Sequence, residues 1–427
     1  MQTERTDAIV PSPADRRGFS VAADGKTRRY LLPRGLLRGA AAERAIAAGM
    51  ALRLAGGPIA FSFLEVAERH VGKEGCRHPL ALAQATAGIV DPSPTPLPQG
   101  ERAYDRDTAP ANRKGSRSSV PSPPPTKVGL RQRAGEGQGE GSTGLSDLLT
   151  RLQAPRPHWA GFDLAKPLIM GVVNVTPDSF SDGGDFATAE DAIAQGIRLA
   201  EQGAEIIDIG GESTRPGAQT VSAEEEIRRV LPVVRALAER GLCVSIDTRH
   251  AAVMEAAVAA GARIINDITA LTGDPDSPKA AAKSGAAIVL MHMQGEPRTM
   301  QADPHYADTT LDLLDYFTER LADLHKLGVD PARIALDPGI GFGKKDPHNL
   351  LLLQELAAFQ VFGRPVLLGV SRKSFVGRLS RKEAPKDRLA GSLAAGLAGF
   401  DQGVQIIRVH DVAETFQARA IWLAMGK

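Results

Sequence analysis

Residues 168–211 read LIMGVVNVTPDSFSDGGDFATAEDAIAQGIRLAEQGAEIIDIGG. The apolar, β-branched runs at 168–173 and 205–209 predict buried strands. Between them, AEDAIAQGIRLAEQG (189–203) has apolar residues near positions i, i+3 and i+4, which predicts an amphipathic helix. A strand, a helix and a second strand form the repeating unit of parallel α/β proteins, so this stretch predicts an α/β fold.

The same alternation continues to residue 427. Amphipathic segments such as SAEEEIRRVLPVVRALAERG (222–241) and TTLDLLDYFTERLADLHKLG (309–328) separate further short apolar runs. Eight strand-helix units in roughly 265 residues predict a (β/α)₈ TIM barrel over about residues 162–427, rather than an open doubly wound sheet. The predicted strands are 168–173, 205–209, 243–246, 263–266, 286–291, 333–336, 365–370 and 404–408.

The chain before the barrel divides in two. Residues 91–143 contain PSPTPLPQGER (92–102) and PSPPPTKVGLRQRAGEGQGEG (121–141), where apolar residues are too sparse to offset the entropy of ordering. A disordered Pro/Gly/Ser-rich linker or insertion is therefore predicted. Residues 1–90 form a small segment of unknown role, in which a helix over 40–55 and the strand-like IAFSFLEV (59–66) predict an α+β unit.

The composition limits the classes of function that this chain can have. With 43% apolar and 24% charged residues, the chain has the balance of a globular protein that buries a large core. Its formal net charge of +1 provides no basic field, so neither nucleic acid nor an anionic membrane is expected as the main partner. Two distant cysteines, no signal-like start and no long apolar run favour a cytoplasmic location.

Polar residues follow all the predicted strands, where a TIM barrel carries its catalytic groups. An Asp or Asn in such a place commonly caps a helix or forms a turn, and that alternative stays open for any single residue. The same register after every strand indicates an active site. The residues are Asn174, Asp208, Asp247, Asn266, Asp267, His292, Asp337, residues 371–373, Arg408 and His410.

Seven segments resemble, in chain order, the motifs of dihydropteroate synthases. The resemblance covers nearly all of residues 167–427 and does not extend to the linker or the residues before it. It implies an enzyme that joins a dihydropterin methyl diphosphate to p-aminobenzoate in folate biosynthesis. The segments are GVVNVTPDSFSDGG (171–184), DIGGESTRPGA (208–218), SIDT (245–248), INDI (265–268), LDPGIGFGK (336–344), GVSRKSF (369–375) and RVHDV (408–412).

The resemblance implies three groups of site residues. Asp247, Lys373, Arg215, Arg408 and His410 are expected to be catalytic. A pterin edge needs buried carboxylate, amide and ammonium partners, and the pterin pocket is expected at Asp247, Asn266, Asp337, Lys373 and Met291. The p-aminobenzoate pocket is expected at Thr214, Pro216, Phe180, Phe342, Lys373 and Ser374, with residues 176–185 and 214–218 closing over it.

Diphosphate is expected to bind Asn174, Arg215, Arg408 and His410, since cationic side chains near a helix start commonly hold phosphate in these barrels. Asp411 is predicted to cap the last helix. The resemblance implies Mg²⁺, bridging diphosphate oxygens with Asn174 as a metal contact, although Asn174 could instead only shape its loop. A homodimer is also implied. The alternatives are a pterin-dependent methyltransferase-like domain and a catalytically silent pterin-binding paralogue.

Overall fold

The computed structural model describes residues 20–21, 27–70, 75–80, 82, 144–156, 158–175, 189–213, 220–297 and 299–426. These residues form a five-stranded antiparallel sheet followed by an eight-stranded parallel barrel. The predicted linker at 91–143 and the predicted closing loop at 176–185 lie outside the described residues. Within the described part of the chain, no helix has the length and apolar character needed to cross a membrane.

The amino-terminal sheet confirms the predicted strand at 59–66 and extends it. The helix predicted over 40–55 is too long. It ends at Ala47 because Gly49 adopts a φ of 69° and the backbone N–H of Met50 donates to the carbonyl of Ala45 at 2.8 Å, which closes a helix-terminating turn. The elements are β1 (Ser20–Val21), β2 (Arg28–Arg38), α1 (Gly39–Ala47), β3 (Leu52–Arg53), β4 (Ile59–Arg69) and β5 (Cys76–Leu80).

After α2 (Leu145–Gln153), the TIM barrel is confirmed, and each of its eight predicted strands is found within two residues of the predicted bounds. The strands are β6 (Leu168–Asn174), β7 (Ile206–Gly210), β8 (Val244–Asp247), β9 (Ile264–Asp267), β10 (Ala287–Met291), β11 (Ile334–Asp337), β12 (Leu367–Gly369) and β13 (Ile406–Val409). The helices are α3 (Ala189–Glu201), α4 (Ala223–Ala238), α5 (Ala251–Ala259), α6 (Ser277–Ser284), α7 (Thr309–Lys326), α8 (Asp346–Gln354), α9 (Ser374–Leu379), α10 (Leu389–Asp401) and α11 (Val412–Met425).

The barrel closes in strand order. β6 pairs in parallel with both β7 and β13, and a bridge from Leu336 to Val366 joins the two ends of the sheet. The strands are nearly all apolar because helices cover their outer faces and the barrel core fills their inner faces. At the amino-terminal end, Trp159 is 1% exposed and packs against the first residues of the strands. The mouth of the barrel is the opposite end, formed by the carboxyl ends of the strands.

Candidate active site

The predicted site residues that the structure describes gather at the carboxyl ends of the strands. Asn174, Asp247, Met291 and Asp337 are the last residues of β6, β8, β10 and β11. Asp247 pairs with Asn266 of β9, and Met291 pairs with Asp337, so the predicted pterin residues are neighbours across adjacent strands. This placement agrees with the mouth at which TIM-barrel enzymes bind substrate.

Arg408, on β13, lies between two carboxylates. Its Nε donates to Asp208 Oδ2 and its Nη2 donates to Asp247 Oδ2, each at 2.6 Å. Asp208 Oδ2 also accepts from Nδ2 of Asn266 at 3.1 Å. These four side chains form one hydrogen-bonded network across the mouth. Within the described residues, Oδ1 of Asp208 is buried without a hydrogen-bond partner.

Burial shifts the pKa of two site groups toward neutral pH. It raises the pKa of Asp247 to about 7, with Arg408 acting to lower that pKa and Asp208 to raise it. It lowers the pKa of Lys373 to about 8. Burial acts against the charge of Arg408 as well, but the carboxylates of Asp208 and Asp247 raise its pKa above the usual value. Such shifted groups in a cleft are typical of an active site.

The loop at 338–344, which follows β11, forms a wall beside Asp337. The Oδ1 of Asp337 accepts from the backbone N–H of Gly339 at 2.7 Å. Gly339 has a φ of 67°, and a Cβ there would lie 2.0 Å from the carbonyl oxygen of His292, so only glycine fits. With any residue other than glycine at position 339, the loop could not lie so close to the end of β10.

Lys344 holds this loop from inside the protein. Its side chain is buried, and Nζ donates to the carbonyl oxygens of His292, Gly339 and Phe342 at 3.2, 3.0 and 3.0 Å. The same Nζ lies 2.9 Å from Nδ1 of His292. Burial lowers the pKa of Lys344 to about 7 and that of His292 well below its usual value. Because His292 is neutral, Lys344 faces no second positive charge at this contact.

Lys373 and Phe342 are in direct contact. The Nζ of Lys373 lies 4.0 Å from the centroid of the Phe342 ring, a distance at which the ammonium is attracted to the ring face. The residue predicted to hold the pterin thus touches a residue predicted to line the p-aminobenzoate pocket. Ser374 is exposed at the start of α9, where its Oγ accepts from Nη1 of Arg378 at 2.9 Å.

At the end of β13, the predicted cap by Asp411 is wrong, and His410 differs in charge from Arg408. His410 does not add positive charge, because burial, with Arg408 next, lowers its pKa to about 3. The ring is neutral at pH 7, and Nδ1 lies 3.0 Å from Oγ of Ser371. Asp411 makes no side-chain cap to α11. Its carboxylate instead accepts from Nε of Arg372 at 3.1 Å, because an arginine held in place outcompetes the backbone donors.

Four predicted residues lie outside the described part of the chain: Phe180, Thr214, Arg215 and Pro216. Conversely, the structure adds Lys344 to the site, and it gives Asp208, which was predicted only as one of the polar residues of the strands, a partner in Arg408. Asp208 carried a signal, since it is the only charge inside the apolar run IIDIG (206–210). The sequence marked Lys344 only as the last residue of LDPGIGFGK (336–344), and did not show that it is buried while the side chain of Lys345 is 55% exposed.

Comparison with known proteins agrees with this geometry. The model of the pterin binding enzyme family matches residues 170–410, more than half of the chain. The chain therefore belongs to the family of pterin binding enzymes.

Individual relatives narrow the assignment. The dihydropteroate synthase of Escherichia coli (strain K12) is 48% identical over 260 residues, which are 61% of this chain and 92% of that protein. A Xanthomonas albilineans dihydropteroate synthase structure with 4-aminobenzoic acid has a TM-score of 0.59 and 47% identity, covering 63% of this chain and 97% of that one. A structure of that organism's enzyme in complex with 7,8-dihydropteroate has a TM-score of 0.57 and 44% identity, covering 63% and 98%. Within its family, the chain belongs with the dihydropteroate synthases.

Proposed function

We propose that this site condenses (7,8-dihydropterin-6-yl)methyl diphosphate with p-aminobenzoate to give 7,8-dihydropteroate and diphosphate. The observation that carries the proposal is the network in which Arg408 binds Asp208 and Asp247 beside Asn266. This network places a guanidinium next to carboxylate and amide groups, which are the hydrogen-bond partners that a pterin needs. The relatives with bound 4-aminobenzoic acid and 7,8-dihydropteroate support it.

Each residue has a proposed role. Asp337 accepts from the pterin ring amine, and Lys373 donates to the oxo edge while Phe342 lines the p-aminobenzoate slot. Asn266 and Asp247 complete the pterin pocket, with Met291 packed beneath it. Arg408 and His410 contact the diphosphate, His410 as a neutral hydrogen-bonding group. Arg215, Thr214, Pro216, Phe180 and Ser374 complete the proposed substrate contacts.

The chemistry follows from these groups. The C–O bond between the pterin methylene and the diphosphate breaks, and its electron pair leaves with the diphosphate. The p-aminobenzoate nitrogen then forms the C–N bond and releases a proton. The arylamine is a neutral nucleophile at pH 7, so positioning and charge stabilisation carry the catalysis, and no residue is assigned as a general base. Ionised Asp247 stabilises the cationic methylene.

Mg²⁺ and a homodimer belong to the proposal. Among the described residues, no cluster of three or more His, Cys, Asp or Glu side chains could hold a metal. Asn174 offers one amide oxygen that would hold a hard cation, and such a cation would supply positive charge against the leaving diphosphate. A cytoplasmic location is proposed from the composition. Sedimentation of the purified chain tests the dimer.

The direct test is an assay with dihydropterin methyl diphosphate and labelled p-aminobenzoate, with Mg²⁺ and with a chelator. We expect labelled 7,8-dihydropteroate and equimolar diphosphate, with loss of turnover in the chelator. Wild-type protein that is folded and binds a pterin but forms no labelled product would favour the silent paralogue instead.

A further inference from the structure

The amino-terminal sheet (residues 27–70, 75–80 and 82) contains none of the proposed substrate-binding residues. The family match begins only at residue 170. It is not a separate globule. One cluster of contacting buried side chains includes Leu31 and Leu64 of the sheet together with Phe317 and Phe359 of the barrel. A shared apolar core of this kind fixes the sheet against the barrel.

Arginines of the sheet reach the first turn of α7. Nη2 of Arg69 donates to Asp312 Oδ1 at 2.6 Å, and the Arg69 side chain is completely buried. Nη2 of Arg77 donates to Asp308 Oδ2 at 2.8 Å. Within the described residues, Nε and Nη1 of Arg69 have no hydrogen-bond partner, so its charge depends on the α7 carboxylates.

The same two carboxylates hold the chain that enters α7. Asp312 uses its other oxygen, Oδ2, to accept from the backbone N–H groups of Ala307 and Asp308, at 2.9 and 3.3 Å. Asp308 uses Oδ1 to cap the helix at the N–H of Leu311, at 3.1 Å. Each arginine therefore fixes a carboxylate that in turn fixes residues 307–308.

The residue just before this segment is tied to the active-site loop. The hydroxyl of Tyr306 donates to the carbonyl oxygen of Gly343 at 2.6 Å. The next residue, Lys344, donates to the carbonyl of Phe342, whose ring contacts Lys373. Hydrogen bonds, joined by the covalent chain at 306–307 and 343–344, thus link the amino-terminal sheet to the proposed p-aminobenzoate pocket.

We propose that the amino-terminal sheet positions the loop at 338–344 through Asp308, Asp312 and Tyr306, so that Arg69 and Arg77 act as positioning residues for the synthase site. The inference goes beyond the proposed function, and its main test does not depend on turnover.

Hydrogen exchange of the full chain provides that test. The backbone N–H groups of Gly339 and Gly341 donate to Asp337 and Asn349 at 2.7 and 2.8 Å, and report on loop order. In Arg69→Met and Arg77→Met we expect both amides to exchange at least tenfold faster, with strand amides of β7 and β8 unchanged. The matched control is Arg29→Met, because Arg29 pairs with Glu68 inside the sheet.

Kinetics supply the second readout. Both variants should raise KM for p-aminobenzoate at least threefold while Arg29→Met stays at the wild-type value. Tyr306→Phe should reproduce the effect, and its combination with Arg77→Met should be less than additive. The Arg77 side chain is 23% exposed, so Arg77→Met tests the idea even if Arg69→Met does not fold. Unchanged loop exchange in Arg77→Met, or faster exchange spread evenly over the barrel, overturns the proposal.

Discussion

Arg408 donates from Nη2 to Oδ2 of Asp247 at 2.6 Å, which joins a residue proposed to hold the diphosphate to one proposed to face the pterin. The contact has two effects. It acts against the burial that raises the pKa of Asp247, and together with Asp208 it fixes the position of the guanidinium. A change at either residue is therefore expected to alter both binding and chemistry.

Replacement of Arg408 or His410 by alanine should lower kcat/KM by at least about tenfold, equivalent to about 1.4 kcal/mol of lost transition-state stabilisation. The reason is the loss of charge from Arg408 and of a hydrogen bond from His410 at the leaving diphosphate. Steady-state kinetics provide the measurement. Arg228→Ala is the control, since Arg228 pairs with Glu225 on the outer surface of α4. Wild-type kinetic constants in both site variants would rule out Arg408 and His410 as diphosphate-binding residues.

Asp337→Asn should weaken binding of a non-reactive pterin by roughly 1 to 3 kcal/mol, because the amide replaces an acceptor oxygen with a donor that faces ring N–H groups. Titration calorimetry measures the change. Asp323→Asn, at an exposed pair with Lys326, should bind the pterin as the wild type does. Equal affinity in all three proteins would contradict the proposed role.

The pH dependence of kcat/KM should be bell-shaped. As pH falls below about 7, Asp247 takes up a proton and no longer stabilises a cationic methylene, so the rate decreases. As pH rises above about 8, Lys373 loses its proton and the rate decreases again. Lys373→Arg should move the alkaline limb upward, because arginine stays charged. An alkaline limb that is identical in this variant would assign that limb to another group.

Lys344→Met should lower the free energy of unfolding by about 1 to 3 kcal/mol, because it leaves buried carbonyl oxygens without a donor. Lys345→Met changes the same residue type one position later, where an exposed pair with Asp303 contributes under about 1 kcal/mol. Urea unfolding of both variants gives the comparison. Equal losses would mean that Lys344 is not the residue that holds the loop.

Residues 92–143 should be dispensable for the reaction, since every residue proposed to contact substrate follows them and their composition cannot build a core. A variant with this tract replaced by a flexible Gly/Ser segment should keep the wild-type kcat. The amino-terminal sheet must be retained in that variant. A folded replacement that loses most activity at saturating substrates would show that the tract takes part in function.

The sequence by itself determined the barrel and the end at which its site lies. Each strand is buried on both faces, so its apolar run is visible locally, and in β6, β8, β9 and β11 a polar residue ends that run. The helix predicted over 40–55 was too long. Periodicity alone did not show that a turn with Gly49 at positive φ ends the helix at Ala47.

Only the tertiary structure decided which polar groups meet. Arg408 and Asp208 are 200 positions apart and become partners because barrel closure places β13 and β7 on either side of β6. The neutrality of His410 is likewise a consequence of burial rather than of residue type. Lys344 and Lys345 are identical in the sequence, yet one is enclosed and one is exposed. Desolvation and pairing depend on three-dimensional neighbours, and no local pattern records them.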